Sequence, residues 1–178
     1  VDSGLLILCN WQPTETGFVA YRNQPKSWLE LHEEAFANKG MLYGYWRNND
    51  IASVVINTHI TTQSLVKKYM ELKELQQLIE SLKQRYLRNT KYLEIYVVGD
   101  FNIECDDLCL NEVMREQLGF TRLTEYIHDE VRGNIDHIFM WSNFEQNNEC
   151  KAYQMTVNPP VFIENEFKKK YLSDHAWR

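Results

Sequence analysis

The stretch YLEIYVVGDFN, residues 92–102, decides how this chain is read. From Tyr92 to Val98 it is a dense apolar run of strand-forming residues, which predicts a strand covered on both faces. Gly99-Asp100 then favours a turn, and Asn102 is a residue type that caps the segment after it. Immediately upstream, Leu65–Leu87 repeats Leu65, Tyr69, Leu72, Leu75, Ile79, Leu82 and Tyr86 at three- and four-residue spacing. That spacing lays one apolar stripe along a helix. Lys67 and Glu71 are expected as an i,i+4 pair on its outer surface. Further upstream, Gly40–Trp46 (GMLYGYW) and Ile51–Ile60 (IASVVINTHI) read as strands joined through Arg47-Asn48-Asn49-Asp50 into a hairpin. A long helix between two buried strands marks an α/β layered domain.

The rest of the chain fills in around that centre. Ser3–Cys9 (SGLLILC) is apolar and predicts a buried strand with Cys9 as a buried thiol. Asn10–Pro25, with Pro13, Gly17 and Pro25, reads as a loop, and Trp28–Ala37 as a short helix or an ordered loop. Leu110–Leu118 predicts a second helix stopped by Gly119, Asn134–Trp141 a strand, and Ala152–Val157 a weaker one.

Composition sets the class. A length of 178 residues, 44% hydrophobic and 25% charged, suits one ordinary globular domain over residues 1–178 and excludes wholesale disorder. No apolar run reaches membrane-spanning length, and no basic segment leads into a long apolar one. The formal charge of −6 disfavours non-specific nucleic-acid binding. That argument weakens where a metal ion supplies the positive charge a phosphate needs. Cys105 and Cys109 lack a matching His or Cys pair, which argues against zinc and leaves a local disulfide, with the oxidising compartment it would imply, open.

Polar residues interrupt strand ends at four places: Asn57-Thr58-His59, Gly99-Asp100-Phe101-Asn102, Asp136-His137 and Ser173-Asp174-His175. Taken singly, each has an ordinary structural explanation: a hydrogen-bonded core histidine, a turn, a cap, a surface pair. Asp136 is the hardest to dismiss, because a carboxylate between Ile135 and Ile138 must be paired or hydrogen-bonded. Together His59, His175, Asp100, Asp136, Asp174, Asn57 and Asn102 form the inventory that phosphodiester hydrolysis needs. Carboxylates hold a divalent cation, histidines move protons, and amides orient phosphate or water without adding charge. The chain has no GxSxG, phosphate-binding glycine loop, GxGxxG, HExxH or paired CxxC motif to suggest other chemistry.

These motifs, in this order, resemble the endonuclease/exonuclease/phosphatase superfamily, whose fold is that of deoxyribonuclease I. The resemblance rests on Ser3-Gly4-Leu5-Leu6-Ile7-Leu8, Asn57-Thr58-His59, Gly99-Asp100-Phe101-Asn102, Ile135-Asp136-His137-Ile138-Phe139 and Ser173-Asp174-His175. It implies an α/β fold, a two-sheet β-sandwich flanked by helices, with the motifs meeting in one cleft. By the same resemblance Asp174 orients His175 as general base. Asp100 and Asn102 position water, phosphate or metal, and Asp136 supports the histidine face. His59 stabilises or protonates the leaving group, and Asn57 and Asn102 bind substrate. The implied cofactor is Mg²⁺ or another divalent cation, with Asp100, Asn102 and Asp174 among its ligands.

Within the superfamily, Ala35–Tyr43 with its Lys39-Gly40 pair resembles the neutral sphingomyelinase-like branch, although Ile60-Thr61-Thr62 and Cys9-Asn10 depart from it. The implied substrate is a phospholipid of the sphingomyelin type. Nucleic acid is the alternative substrate, and a non-catalytic binding module is the alternative class. Lys168-Lys169-Lys170 reads as a contact for an anionic headgroup or membrane surface, or as a solvated loop. The superfamily's principal Glu ligand and its first-strand Asn precede the SGLxILS strand and have no counterpart here. Glu15, Glu30, Glu33 and Glu34 all follow that strand. The strand after the SDH motif also has no counterpart. The resemblance therefore implies a domain lacking N-terminal strands and its last C-terminal strand, and a polypeptide that by itself binds Mg²⁺ poorly and turns over weakly or not at all.

Overall fold

A computed structural model describes residues 4–22, 38–123 and 135–144. The elements are β1 (Glu15–Ala20), β2 (Gly40–Asn48), β3 (Ile51–His59), α1 (Leu65–Leu87), β4 (Tyr92–Asp100), α2 (Leu108–Asn111), β5 (Thr121–Arg122) and β6 (Asp136–Ser142). They build one six-stranded sheet in the order β1-β2-β3-β4-β6-β5. Only β3 and β4 pair in parallel, and α1 makes the crossover between them. The other pairings are antiparallel.

The helix forms where its periodicity places it. Leu72, Leu75, Ile79, Leu82 and Tyr86 bury the stripe against Ala52, Val54 and Ile56 of β3 and Leu93, Ile95 and Val97 of β4. Each such Leu or Ile contributes about 1.5–3 kcal/mol by leaving water. The Tyr45 and Tyr86 rings stack at 3.8 Å, fixing the end of the helix on β2. Between β2 and β3, Asn48 pairs with Ile51 and the two-residue turn takes a left-handed Asn49 (φ 55°), a conformation Asn tolerates. The expected hairpin is present.

Several expectations are corrected. Among the described residues β4 is fully buried on one face, through Leu93, Ile95 and Val97, while Tyr92, Glu94, Tyr96 and Val98 on the other are half-buried. The described residues supply one sheet of the mixed α/β fold, with α1 on one side of it. Residues 4–9 form no strand, and Leu6 and Leu8 are 65% and 84% exposed. An apolar run is buried only where a strand or layer meets it, and no described strand pairs with this one. Cys9 is accordingly exposed. The expected loop at 10–25 contains β1, in register with β2 from Glu15↔Tyr45 to Ala20↔Gly40. Its Gly17, which reads as a breaker, leaves the space that the Tyr43 ring occupies; a Cβ there would lie 2.5 Å from that ring.

Glu71 is buried rather than on the outer surface, and it accepts the Thr61 N–H at 2.8 Å. Lys67 donates to Gln63. The second helix starts two residues early, because the Asp107 carboxylate caps it by accepting from Leu110 N. It continues as a π-helical stretch, Glu112–Gln117, and stops at the left-handed Gly119 (φ 72°). Cys105 and Cys109 are free thiols. Trp28–Ala37, Ala152–Val157, Lys168-Lys169-Lys170 and Ser173-Asp174-His175 lie outside the described residues.

Candidate active site

Parallel pairing carries the C-terminal ends of β3 and β4 to one edge of the sheet, and there His59 is the register partner of Asp100. β6 runs the other way and starts at that edge, so Asp136 is the register partner of Asp100 on the other side. The alternation of burial puts Asn57, His59, Asp100 and Asp136 on the face away from α1. Open α/β sheets carry ligands beyond the carboxyl ends of their strands.

Gly99 makes this convergence possible. Its φ is +140°, and a Cβ there would lie 1.9 Å from the Thr58 carbonyl oxygen. No other residue lets β4 approach β3 so closely. His59 Nε2 then lies 3.7 Å from Asp100 Oδ2, with the histidine side chain 36% exposed and the aspartate 15%.

Lys39, which in sequence belongs only to the family-like segment before β2, is also in the site. It is 5% exposed, and its Nζ lies 3.1 Å from His59 Nε2 and donates to the Ile60 carbonyl at 3.1 Å. An ammonium offers no lone pair, so Nε2 of a neutral His59 accepts from Lys39 and the ring hydrogen sits on Nδ1. Burial of the charge is tolerable because these partners replace water. The lone signal for it in the sequence is a lysine directly before an apolar strand, and that does not distinguish a buried ammonium from an exposed one. Lys68, on the first turns of α1, donates from Nζ to the Asn102 carbonyl. In helix periodicity it reads as an ordinary surface lysine.

Asn102 takes a left-handed backbone, φ 49°. Its N–H donates to Asp100 Oδ1 and its side-chain Nδ2 to the Ile60 carbonyl, both at 2.8 Å. The β3 end, the β4 end and the following turn are thus tied together through Ile60. Asn57 lies two residues before His59 on the same strand face, with Nδ2 donating to the Leu6 carbonyl at 3.1 Å. Asp136 is the first residue of β6 and half-buried, so it stands at the site's edge rather than in the strand interior expected from its neighbours. Asp174 and His175 lie outside the described residues.

Asp100 and Asn102 offer hard oxygen donors of the kind Mg²⁺ takes. Asp100 Oδ1 already holds the Asn102 N–H, and among the described residues no three His, Cys, Asp or Glu gather around one point. The donors fit the ion in kind and supply part of a coordination set. The chain is acidic overall, yet two ammonium groups, Lys39 and Lys68, sit against residues of this edge. Local positive charge of this sort favours an anionic ligand.

No family model matches the chain, nor does any curated protein. Solved structures do. An endonuclease/exonuclease/phosphatase family protein from Bacteroides thetaiotaomicron matches with a TM-score of 0.53 at 17% identity, over 72% of this chain and 50% of that one. A mannosyl-6-phosphatase from Bacteroides thetaiotaomicron VPI-5482 matches with a TM-score of 0.53 at 16% identity, over 72% and 52%. Sphingomyelinase C from Streptomyces griseocarneus matches with a TM-score of 0.50 at 11% identity, over 73% and 49%. The fold is that of endonuclease/exonuclease/phosphatase proteins, the mixed α/β architecture expected from the motif order. The chain spans about half the length of the solved structures it matches.

Proposed function

We propose that this chain carries part of the catalytic edge of a Mg²⁺-dependent phosphodiester hydrolase whose substrate is a phospholipid of the sphingomyelin type. One observation carries the reading: His59, Asp100 and Asn102 converge at the ends of two parallel strands with the buried ammonium of Lys39 against them. The fold shared with a phosphatase and a sphingomyelinase supports the hydrolase class. The Lys39-Gly40 segment supports the phospholipid substrate. Asp100 and Asn102, together with Asp174, are the proposed Mg²⁺ ligands, and the ion when bound neutralises phosphate oxygens.

The chain's own residues divide the remaining work. Lys39 turns its ammonium from His59 to a non-bridging phosphate oxygen. His59, released from that contact, takes a proton from solvent at Nε2 beside the Asp100 carboxylate and delivers it to the leaving oxygen, returning to the neutral ring. Asn57 and Asn102 orient the phosphate, and Asp136 supports the histidine face. His175, oriented by Asp174, takes the proton of the attacking water. Lys168-Lys169-Lys170 is the proposed contact with an anionic membrane surface.

The test is phosphocholine release from sphingomyelin vesicles by the whole protein with Mg²⁺, abolished by EDTA. Nicking of plasmid DNA without phosphocholine release would move the assignment to a nuclease, a reading the charge of −6 disfavours. Neither activity, with the fold intact, would make it a binding module.

A further inference from the structure

His137 is the one titratable residue of the motif set that the proposed chemistry does not use. It is the second residue of β6, opposite Gly99, and is 1% exposed on the sheet face opposite to Asp136. Its Nε2 lies 2.8 Å from the Ile103 carbonyl oxygen. A carbonyl only accepts, so Nε2 carries the hydrogen. Nδ1 is then the bare nitrogen, and it has no hydrogen-bond partner among the described residues. The ring stands edge-to-face on Phe101 at 5.3 Å, and Phe101 is itself edge-on to Phe139 at 5.6 Å.

The segment after β4 alternates. Phe101 and Ile103 point inward at 0% and 2% exposure, whereas Asp100 and Asn102 are half-buried and belong to the proposed site. The Phe101 N–H is held by the Ile135 carbonyl at 2.8 Å. Asn102 sits in the left-handed region, a minority conformation even for Asn, and its surroundings determine it. His137 supplies one of those determinants, one residue further on. Phenylalanine would fill the same space but would release the Ile103 carbonyl. Either protonation state donates from Nε2; burial holds the imidazole pKa below its ordinary value against the Ile103 bond, which raises it, and among nearby charges Arg122 lowers it and Asp136 raises it.

We infer that His137 is a positioning residue: its Nε2–H, bonded to the Ile103 carbonyl, fixes the left-handed turn at Asn102 and so sets where the Asn102 amide and the Asp100 carboxylate point. The inference rests on the reading of this edge as catalytic. It is tested in the whole protein with His137→Phe and His137→Gln. The probes are bis(p-nitrophenyl) phosphate with Mg²⁺ and amide exchange across residues 100–105. His137→Phe is expected to lower kcat by about 10- to 100-fold, the effect of displacing a catalytic group by a fraction of an ångström to an ångström, with KM within about twofold.

Exchange at 100–105 should accelerate at least about tenfold, the loss expected when a local opening becomes easier by about 1.4 kcal/mol. His137→Gln, which keeps a donor at similar reach, should recover most of both. Wild-type exchange in His137→Phe, or equal loss in both variants, would overturn the inference. A wild type that hydrolyses nothing would overturn the hydrolase reading instead, and the exchange arm would still judge the clamp. Nitrogen-15 spectra of the wild-type imidazole need no variant: an Nε2–H tautomer is expected, and an Nδ1–H tautomer would sink the inference even if both variants fail to fold.

Discussion

The ammonium of Lys39 lies 3.1 Å from Nε2 of His59, on the side of the ring where Asp100 Oδ2 stands 3.7 Å away. Nε2 of the histidine therefore faces both a cation and an anion before any ligand arrives. Its orientation is set by both, and the tautomer by the cation.

If that ammonium is the group that meets phosphate, Lys39→Met keeps the buried stem and removes the charge. Turnover of sphingomyelin should fall about 100-fold or more, the usual cost of losing one donor aimed at developing charge. Steady-state phosphocholine release checks it, and Lys39→Arg should rescue little because a planar fork does not fit a pocket built for a compact ammonium.

His59→Ala and Asp100→Asn should each reduce kcat by about 10²–10⁴-fold, the range for a proton-transferring group and its partner. His175→Ala should do the same. Circular dichroism should show an intact fold, since His59 and Asp100 stand outside the hydrophobic core. Unchanged rates in the folded variants would remove these residues from the chemistry.

Gly99→Ala should be more damaging than any side-chain deletion at the site. The added Cβ meets the Thr58 carbonyl at 1.9 Å and the backbone sits at φ +140°. The edges of β3 and β4 must part, at a cost of about 3 kcal/mol or more. Urea unfolding of the variant against wild type measures it.

Stability should fall as pH drops below about 6.5, the ordinary histidine value, partly through His137. Burial holds its folded-state pKa below that value. As pH falls into this window the unfolded chain binds a proton that the folded protein does not, so unfolding gains. The contribution is fully present above about 6.5 and is lost on the way down to the depressed value. Urea midpoints at about pH 7.5 and about pH 5.5, on either side of the ordinary histidine value, should differ less in His137→Phe than in wild type.

The sequence made α1 legible because a 23-residue apolar stripe has one sensible period. The strand ends carrying His59 and Asp100 were equally plain, since polar residues broke off dense apolar runs. Four features were not legible, the first three because burial depends on what faces a residue. Leu6 and Leu8 have core composition but meet no described strand. Gly17 reads as a breaker until the Tyr43 ring lies across it. Lys39 has the composition of a surface residue and the surroundings of a site residue. The left-handed backbone at Asn102 joins a local bond, its N–H to Asp100 Oδ1, to contacts from α1, Ile60 and β6 that are distant in sequence.

The parallel pairing of β3 with β4 also decides when the site can exist. His59 and Asp100 cannot meet through a local hairpin; they become neighbours only after α1 has closed the crossover between their strands. Non-local pairing of this kind forms late and slowly during folding. Any ability to cleave a phosphodiester should therefore return in the last refolding phase, together with the Tyr45–Tyr86 stack, and a partly folded intermediate should be helical and inert.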